Sequence, residues 1–193
     1  MSKLPRSFYA RPDVLAIARE LIGKVLVTRI DGELTAAVIT ETEAYMGAVD
    51  RASHAYAGKV TPRNEIMYGE PGHAYVYLCY GIHHLFNVVT NKPGVAHAVL
   101  VRAVLPLEGK RIMLRRRNMA KLTTGGPGTL TQALGIRTAH TGTDLLGSLI
   151  TIEDRGISAP STSIITSARI GVDYAGEDAL LPYRFHIDPS LLK

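Results

Sequence analysis

A chain of 193 residues, 46% of them hydrophobic, is long enough to bury a core and too apolar to be read as disordered. Its 22 lysines and arginines against 17 aspartates and glutamates give a net charge of +5 and an isoelectric point near 9.4, a balance that favours a polyanionic partner. The lone cysteine, Cys79, excludes an internal disulfide, no apolar run suits a bilayer span, and no secretory leader opens the chain, so the expected setting is cytoplasmic and reducing, away from membranes.

Taken in order, residues 11–23 predict a helix, with Pro12 in the first turn, Val14, Leu15, Ile17, Ala18, Leu21 and Ile22 facing inward, and Gly23 as the stop. Residues 24–30 and 33–45 predict two strands joined at Asp31-Gly32, a dipeptide that tolerates the positive φ angles of a tight hairpin turn. The second strand ends in Glu41-Thr42-Glu43-Ala44-Tyr45. Alternation puts Glu41, Glu43 and Tyr45 on one face. Small and polar residues follow from Met46 to Pro62, with a short helix expected at 50–55 carrying His54, and Thr61-Pro62-Arg63-Asn64 reads as a capped helix start.

Residues 73–79 and 83–90 predict a second hairpin with Tyr80-Gly81 at its tip, Tyr75 and Tyr77 on one face and Val76 and Leu78 on the other. An exposed tip tyrosine calls for a partner. Residues 96–105 predict an apolar strand interrupted by Arg102, a charge that needs an ion pair if buried. A helix is expected over 108–120, where Lys110, Arg111, Arg115, Arg116, Arg117 and Lys121 form the densest basic stretch. The turn Gly125-Gly126-Pro127-Gly128 then leads into a short helix at 129–134, whose free N–H groups suit a phosphate. The tail, 149–187, alternates strand-like runs with turns. Without repeat or linker, residues 1–193 read as one compact α+β domain built around an antiparallel sheet, with peripheral helices and a protruding hairpin.

The seven histidines show no metal-ligand spacing, and neither a nucleophile elbow nor a P-loop is present, so no metal or cofactor is expected. What is left is a carboxylate, aromatics on the hairpins, an inward arginine and a basic surface. A carboxylate acting as general base on water can hydrolyse an acetal-like bond, and aromatics can stack on a flat substrate. A glycoside-type hydrolase and a nucleic-acid binder both stay open on these grounds.

Glu41 to Gly47, His54, Thr61-Pro62-Arg63-Asn64, Tyr75-Val76-Tyr77 with Tyr80-Gly81, Asn87, Arg102-Ala103 with Pro106-Leu107-Glu108-Gly109, and Arg169 to Glu177 together resemble the alkyladenine (3-methyladenine) DNA glycosylase family of the mammalian type. The resemblance runs from the first helix to Pro189. It implies a mixed α+β fold and a monofunctional, metal-free DNA repair enzyme that flips an alkylated or deaminated purine out of duplex DNA and hydrolyses its N-glycosidic bond, leaving an abasic site. On this resemblance Glu43 is the general base and Arg102 helps hold the water and the carboxylate. Tyr45, His54 and Tyr77 line the base pocket, Asn87 crowds a guanine's exocyclic amino group, and Tyr80 fills the space left by the flipped nucleotide. Arg63, Arg115 and Arg116 are expected DNA contacts, and a monomer is expected. Tyr75 reads as core, and Glu41 as a structural neighbour that raises the pKa of Glu43 or caps a backbone group. His83 and His84 stand where the mammalian members carry aromatics. The runner-up is a non-catalytic nucleic-acid-binding module, since the family's fold also resembles an RNA-binding domain of a formyltransferase; a third reading is a sugar-directed hydrolase using Glu41 and Glu43.

Overall fold

The computed structural model describes residues 2–193. Its elements are β1 (Ser2–Lys3), α1 (Arg6–Tyr9), α2 (Val14–Glu20), β2 (Val25–Ile30), β3 (Glu33–Tyr45), β4 (Ala74–Cys79), β5 (His83–Thr90), β6 (His97–Glu108), α3 (Lys110–Arg117), α4 (Pro127–Leu134), β7 (Ile150–Asp154), β8 (Ile165–Ser167) and β9 (Arg184–His186), with short 3-10 turns between them. The strands form one sheet in the order β1-β7-β2-β3-β6-β5-β4; β9 adds to β3, and β8 to β9. Every pairing is antiparallel, so the fold is α+β as the sequence implied. Among the described residues, no helix is long and apolar enough to cross a membrane.

The first hairpin forms where expected. Asp31 and Gly32 both take positive φ, 57° and 73°, and the register runs from Ile30↔Glu33 to Val25↔Val38. β3 then outruns β2. Its first half pairs with β2, whereas along Glu41–Glu43 the same edge is taken by β9, and β6 lies along the other edge. Register shifts on either side of Glu41 bend the strand here. The end of β3 is therefore clasped between two strands from distant parts of the chain.

Alternation sorts the sheet into two faces. Ile39, Val76, Phe86, Val88, Val99 and Val101 meet Ile17, Ala18 and Leu21 of α2, Met113 of α3 and Leu130, Ala133 and Leu134 of α4. This layer joins sheet to helices, at about 1.5–3 kcal/mol for each fully buried large aliphatic or Phe side chain. On the opposite face Tyr75, Val89 and Ala98 pack against Ala55 and Met67 of the 46–68 segment. That second face carries Glu41, Glu43, Tyr45, Tyr77, Asn87 and Arg102.

Several expected boundaries are corrected. The first helix is shorter than 11–23, because Asp13 accepts from the Ala16 N–H at 3.0 Å and so caps it after Pro12. α1 precedes it unannounced. No helix forms at 50–55; the Asp50 carboxylate takes the N–H groups of Met46 and Ala52 and holds a turn instead. Thr61 caps nothing. Asn64 draws that loop together, accepting from the Thr61 N–H at 2.7 Å and donating to the carbonyls of His54 and Lys59. Glu108 is still sheet, opposite Ala36, which shortens the basic helix from 108–120 to α3, and α4 begins at Pro127 rather than at 129.

Candidate active site

A cavity of about 560 Å³ opens on the second face of the sheet, a size that suits a small aromatic ligand. Tyr45 of β3, His54 of the following loop, Tyr75 and Tyr77 of β4, Asn87 of β5 and Arg102 of β6 line it, and Ile170 and Tyr174 of the tail close one side. Five of the sheet residues share a face only because each strand alternates in register with its neighbour: Tyr75 lies opposite Asn87, and Asn87 opposite Leu100.

Glu43 lies behind this wall, with none of its surface exposed. Its Oε1 accepts the Ile170 backbone N–H at 2.8 Å and lies 3.4 Å from Arg102 Nη1; its Oε2 accepts the Tyr45 hydroxyl at 2.8 Å. All three partners line the cavity, so Glu43 reaches it through them. Burial pushes the Glu43 pKa up, against the pull of Arg102, the Ile170 N–H and the Tyr45 hydroxyl, and the Glu41 charge adds to the rise. Burial, with the neighbouring Glu43 charge, also drives the Tyr45 phenol well above its ordinary value. It stays a hydrogen-bond donor.

His54 and Tyr77 meet edge to face with centroids 4.6 Å apart, and His54 Nδ1 lies 2.7 Å from the Tyr75 hydroxyl. Burial, and then the Arg63 charge, lower the His54 pKa to about 4, so its ring is neutral near pH 7. The Arg63 guanidinium sits 4.8 Å from the centre of the Tyr77 ring. His54, Tyr77 and Arg63 thus form one wall. Asn87 donates its amide to the carbonyls of Tyr75 and Leu85, at 3.1 and 3.3 Å. Tyr75, expected as core, is buried in the second hydrophobic cluster while also touching the cavity.

At the hairpin tip Tyr80 takes φ of +51° and is 91% exposed, with Ile82 exposed beside it. Tyr80 stands at the cavity's rim, where His83 also lies. His84 turns away from the cavity and accepts the Thr138 N–H on Nδ1 at 3.1 Å.

The description of the matching family model is methylpurine-DNA glycosylase, and it covers residues 7–190. Relatives from Desulfitobacterium hafniense (46% identical, covering 98% of this chain and 97% of theirs), Chlamydia felis (47%, 94% of each) and Methanocella arvoryzae (47%, 96% and 92%) all carry the name "Putative 3-methyladenine DNA glycosylase". The chain belongs to the methylpurine-DNA glycosylase family.

Other residues of this glycosylase-family chain hold the site without having been singled out by residue type. The Ile170 N–H is a backbone donor, which no side-chain pattern announces. It is fixed by its neighbour Arg169, which is buried, donates to Asp50 at 2.6 and 2.8 Å and to the Ala44 carbonyl at 3.0 Å, and sits 4.9 Å from the Tyr45 ring centre. Arg184 of β9 donates from Nε to Glu41 at 2.6 Å. Tyr174 is exposed at the cavity and anchors its hydroxyl on the Ala52 carbonyl at 3.1 Å.

Arg115 and Arg116 are not brought to this cavity. Both pair with Glu33, at the far end of β3 from Glu43, and Arg116 also donates to the Ile30 carbonyl at 3.0 Å. Of the glycine-rich turn, Pro127 reaches the cavity wall.

Proposed function

We propose that this chain is a DNA repair glycosylase that flips an alkylated or deaminated purine out of duplex DNA and hydrolyses its N-glycosidic bond with a water activated by Glu43, leaving an abasic site. The observation that carries this reading is the fully buried Glu43, held at both oxygens beneath an aromatic cavity. Taking a carboxylate out of water costs several kcal/mol. A module that only binds nucleic acid gains nothing from that, whereas a base on water gains proton affinity.

Tyr45 on one side and His54 with Tyr77 on the other receive the flipped ring. Purines methylated at N3 or N7 are cationic, and each aromatic face offers such a ring about 0.5–2 kcal/mol more than a neutral one, depending on desolvation. A neutral His54 adds no repulsive charge. Water attacks the anomeric carbon, one of its protons passes to Glu43, and the electron pair of the breaking C–N bond leaves with the purine; a cationic methylated purine departs neutral and needs no acid, whereas a deaminated purine departs as an anion that takes its proton from solvent. The Glu43 anion also faces the positive charge that builds on the sugar. Oε2 keeps a lone pair beside the Tyr45 hydroxyl, and a small movement of that ring as the nucleotide enters brings the water within reach, since such contacts tighten in the bound complex. Asn87, its amide committed to the carbonyls of Tyr75 and Leu85, is held against the cavity and crowds the exocyclic amino group of a normal guanine.

Tyr80 enters the duplex as the nucleotide leaves, offsetting an unstacking cost of a few kcal/mol. DNA is the partner, gripped by one copy of the chain on its basic surface inside the cell. The sugar-directed alternative is weakened at its second carboxylate, because Glu41 gives its Oε1 to two arginines.

The test is release of free base from duplex DNA carrying 7-methylguanine or 3-methyladenine. Glu43→Gln is expected to lower the single-turnover rate by at least about a hundredfold while still binding the duplex. Full activity in that variant removes Glu43 from the role.

A further inference from the structure

Glu41 shares a strand face with Glu43, yet the glycosylase reading gives it no task. One of its oxygens, Oε1, accepts from Arg102 Nε at 2.9 Å and from Arg184 Nε at 2.6 Å. The two arginines come from the strands on either side of β3: Glu41 is opposite Ala103 on β6 and His186 on β9, and Arg184 is opposite Glu43. All three side chains are mostly buried.

We propose that Glu41 is a positioning residue for the reaction: it holds Arg102 by the Nε edge, so that the guanidinium touches Glu43 with one corner instead of closing on it as a paired cation, and Glu43 stays free to act as a base. The inference rests on the glycosylase reading above.

A guanidinium offers a planar fork that matches a carboxylate with two parallel bonds, at about 2.7–2.9 Å. Arg102 comes that close to Glu41 only, through the single Nε bond at 2.9 Å, and its Nη1 lies 3.4 Å from Glu43. Arg184 fixes the other side of Glu41 and reaches on to Ser167 Oγ at 3.4 Å. Two carboxylates and two guanidinium groups balance. Remove the Glu41 charge and Glu43 is the one carboxylate still in contact with Arg102, with one positive charge in excess. Arg102, freed at Nε, then turns its fork onto Glu43, occupying the oxygen meant for water and draining its proton affinity.

The other groups around Glu43 do not take over this role. Tyr45, from β3, donates to Oε2, and the Arg169 cation is already paired with Asp50. Tyr77 and Tyr174 approach from β4 and the tail, and His186 stands beside Glu41 and Arg184. None of these offers Arg102 a second carboxylate. A bridge serving stability alone would link the three strands equally well, and the difference shows in the pH profile.

The experiment follows single-turnover release of 7-methylguanine from duplex DNA against pH, for wild type, Glu41→Gln, Glu41→Asp, Arg102→Gln and the Glu41→Asp/Arg102→Gln double variant, with binding to an abasic-site duplex measured alongside. Glu41→Gln is expected to move the midpoint of the acid limb down by about one pH unit and to lower the plateau about tenfold, with duplex affinity retained. Glu41→Asp keeps the charge and is expected to restore the midpoint, while its shorter side chain holds Arg102 less closely and lowers the plateau by a few-fold. In the Arg102→Gln background the Glu41→Asp loss is expected to vanish, because Glu41 acts through Arg102. A wild-type midpoint in Glu41→Gln, or multiplied losses in the double variant, overturns the proposal, and the Asp cycle decides it even if Glu41→Gln fails to fold. An active Glu43→Gln sinks the mechanism itself, whereas an inactive Glu43→Gln beside an unshifted Glu41→Gln sinks only the role of Glu41.

Discussion

Glu43 holds its proton to a higher pH in the folded protein than in the unfolded chain, and burial is the cause. Between those two values the native state binds more protons, so the stability contributed by this group falls as pH rises through the window. Glu43→Gln removes the dependence. Thermal unfolding from pH 4.5 to neutrality is expected to show the variant gaining on wild type as pH rises, and a constant gap would mean that the carboxyl titrates normally. His54 acts in the opposite sense: with its pKa lowered to about 4, the folded protein resists its protonation, and stability is lost as pH falls below the usual histidine range. Comparing the two proteins cancels that background. At this scale the sequence was legible where side-chain type and alternation suffice, as for Glu43, Tyr45 and Tyr77. It was silent on the Ile170 N–H, since every residue but proline carries that donor.

The hairpin of β4 and β5 is the element that both lines the cavity and carries its tip. Tyr75 and Tyr77 face inward at the wall, while three residues on Tyr80 stands in solvent. Tyr80→Ser is expected to slow excision from duplex DNA far more than it weakens binding to an abasic site already formed, because only the first requires the base to be displaced. Equal losses in both assays would reduce Tyr80 to a turn residue. Hairpins of this kind are legible because period-two alternation and a positive-φ dipeptide act over a few residues. The 46–68 segment was not. Its shape depends on single side chains, Asp50 and Asn64, that capture backbone groups, and small residues around 50–55 then mimic a helix they do not form.

Across the whole molecule, the site gathers residues from β3, the loop after it, the central hairpin, β6 and the last quarter of the chain. The Asp50–Arg169 pair is the deepest of these ties: both side chains are essentially free of solvent, and Arg169 stacks between the Tyr45 and Tyr183 rings. Removing one partner leaves a buried charge uncompensated. Asp50→Ala is expected to cost about 3–5 kcal/mol of stability, read as a lower urea midpoint, and to lose the Ile170 contact to Glu43. A loss below 1 kcal/mol would show that the tail is held by other means. No local pattern connects Asp50 with a residue 119 positions away, so this tie could be found only in three dimensions.

Glu43 and the Ile170 N–H that steadies it are 127 residues apart in the chain. At synthesis rates of roughly 5–20 residues per second, the carboxylate leaves the ribosome on the order of ten seconds before its holder. A half-made chain therefore displays basic residues and an incomplete aromatic cleft, with the proposed base still unheld. On the proposed mechanism, the ability to sever bases from DNA arrives only with the segment that carries Ile170.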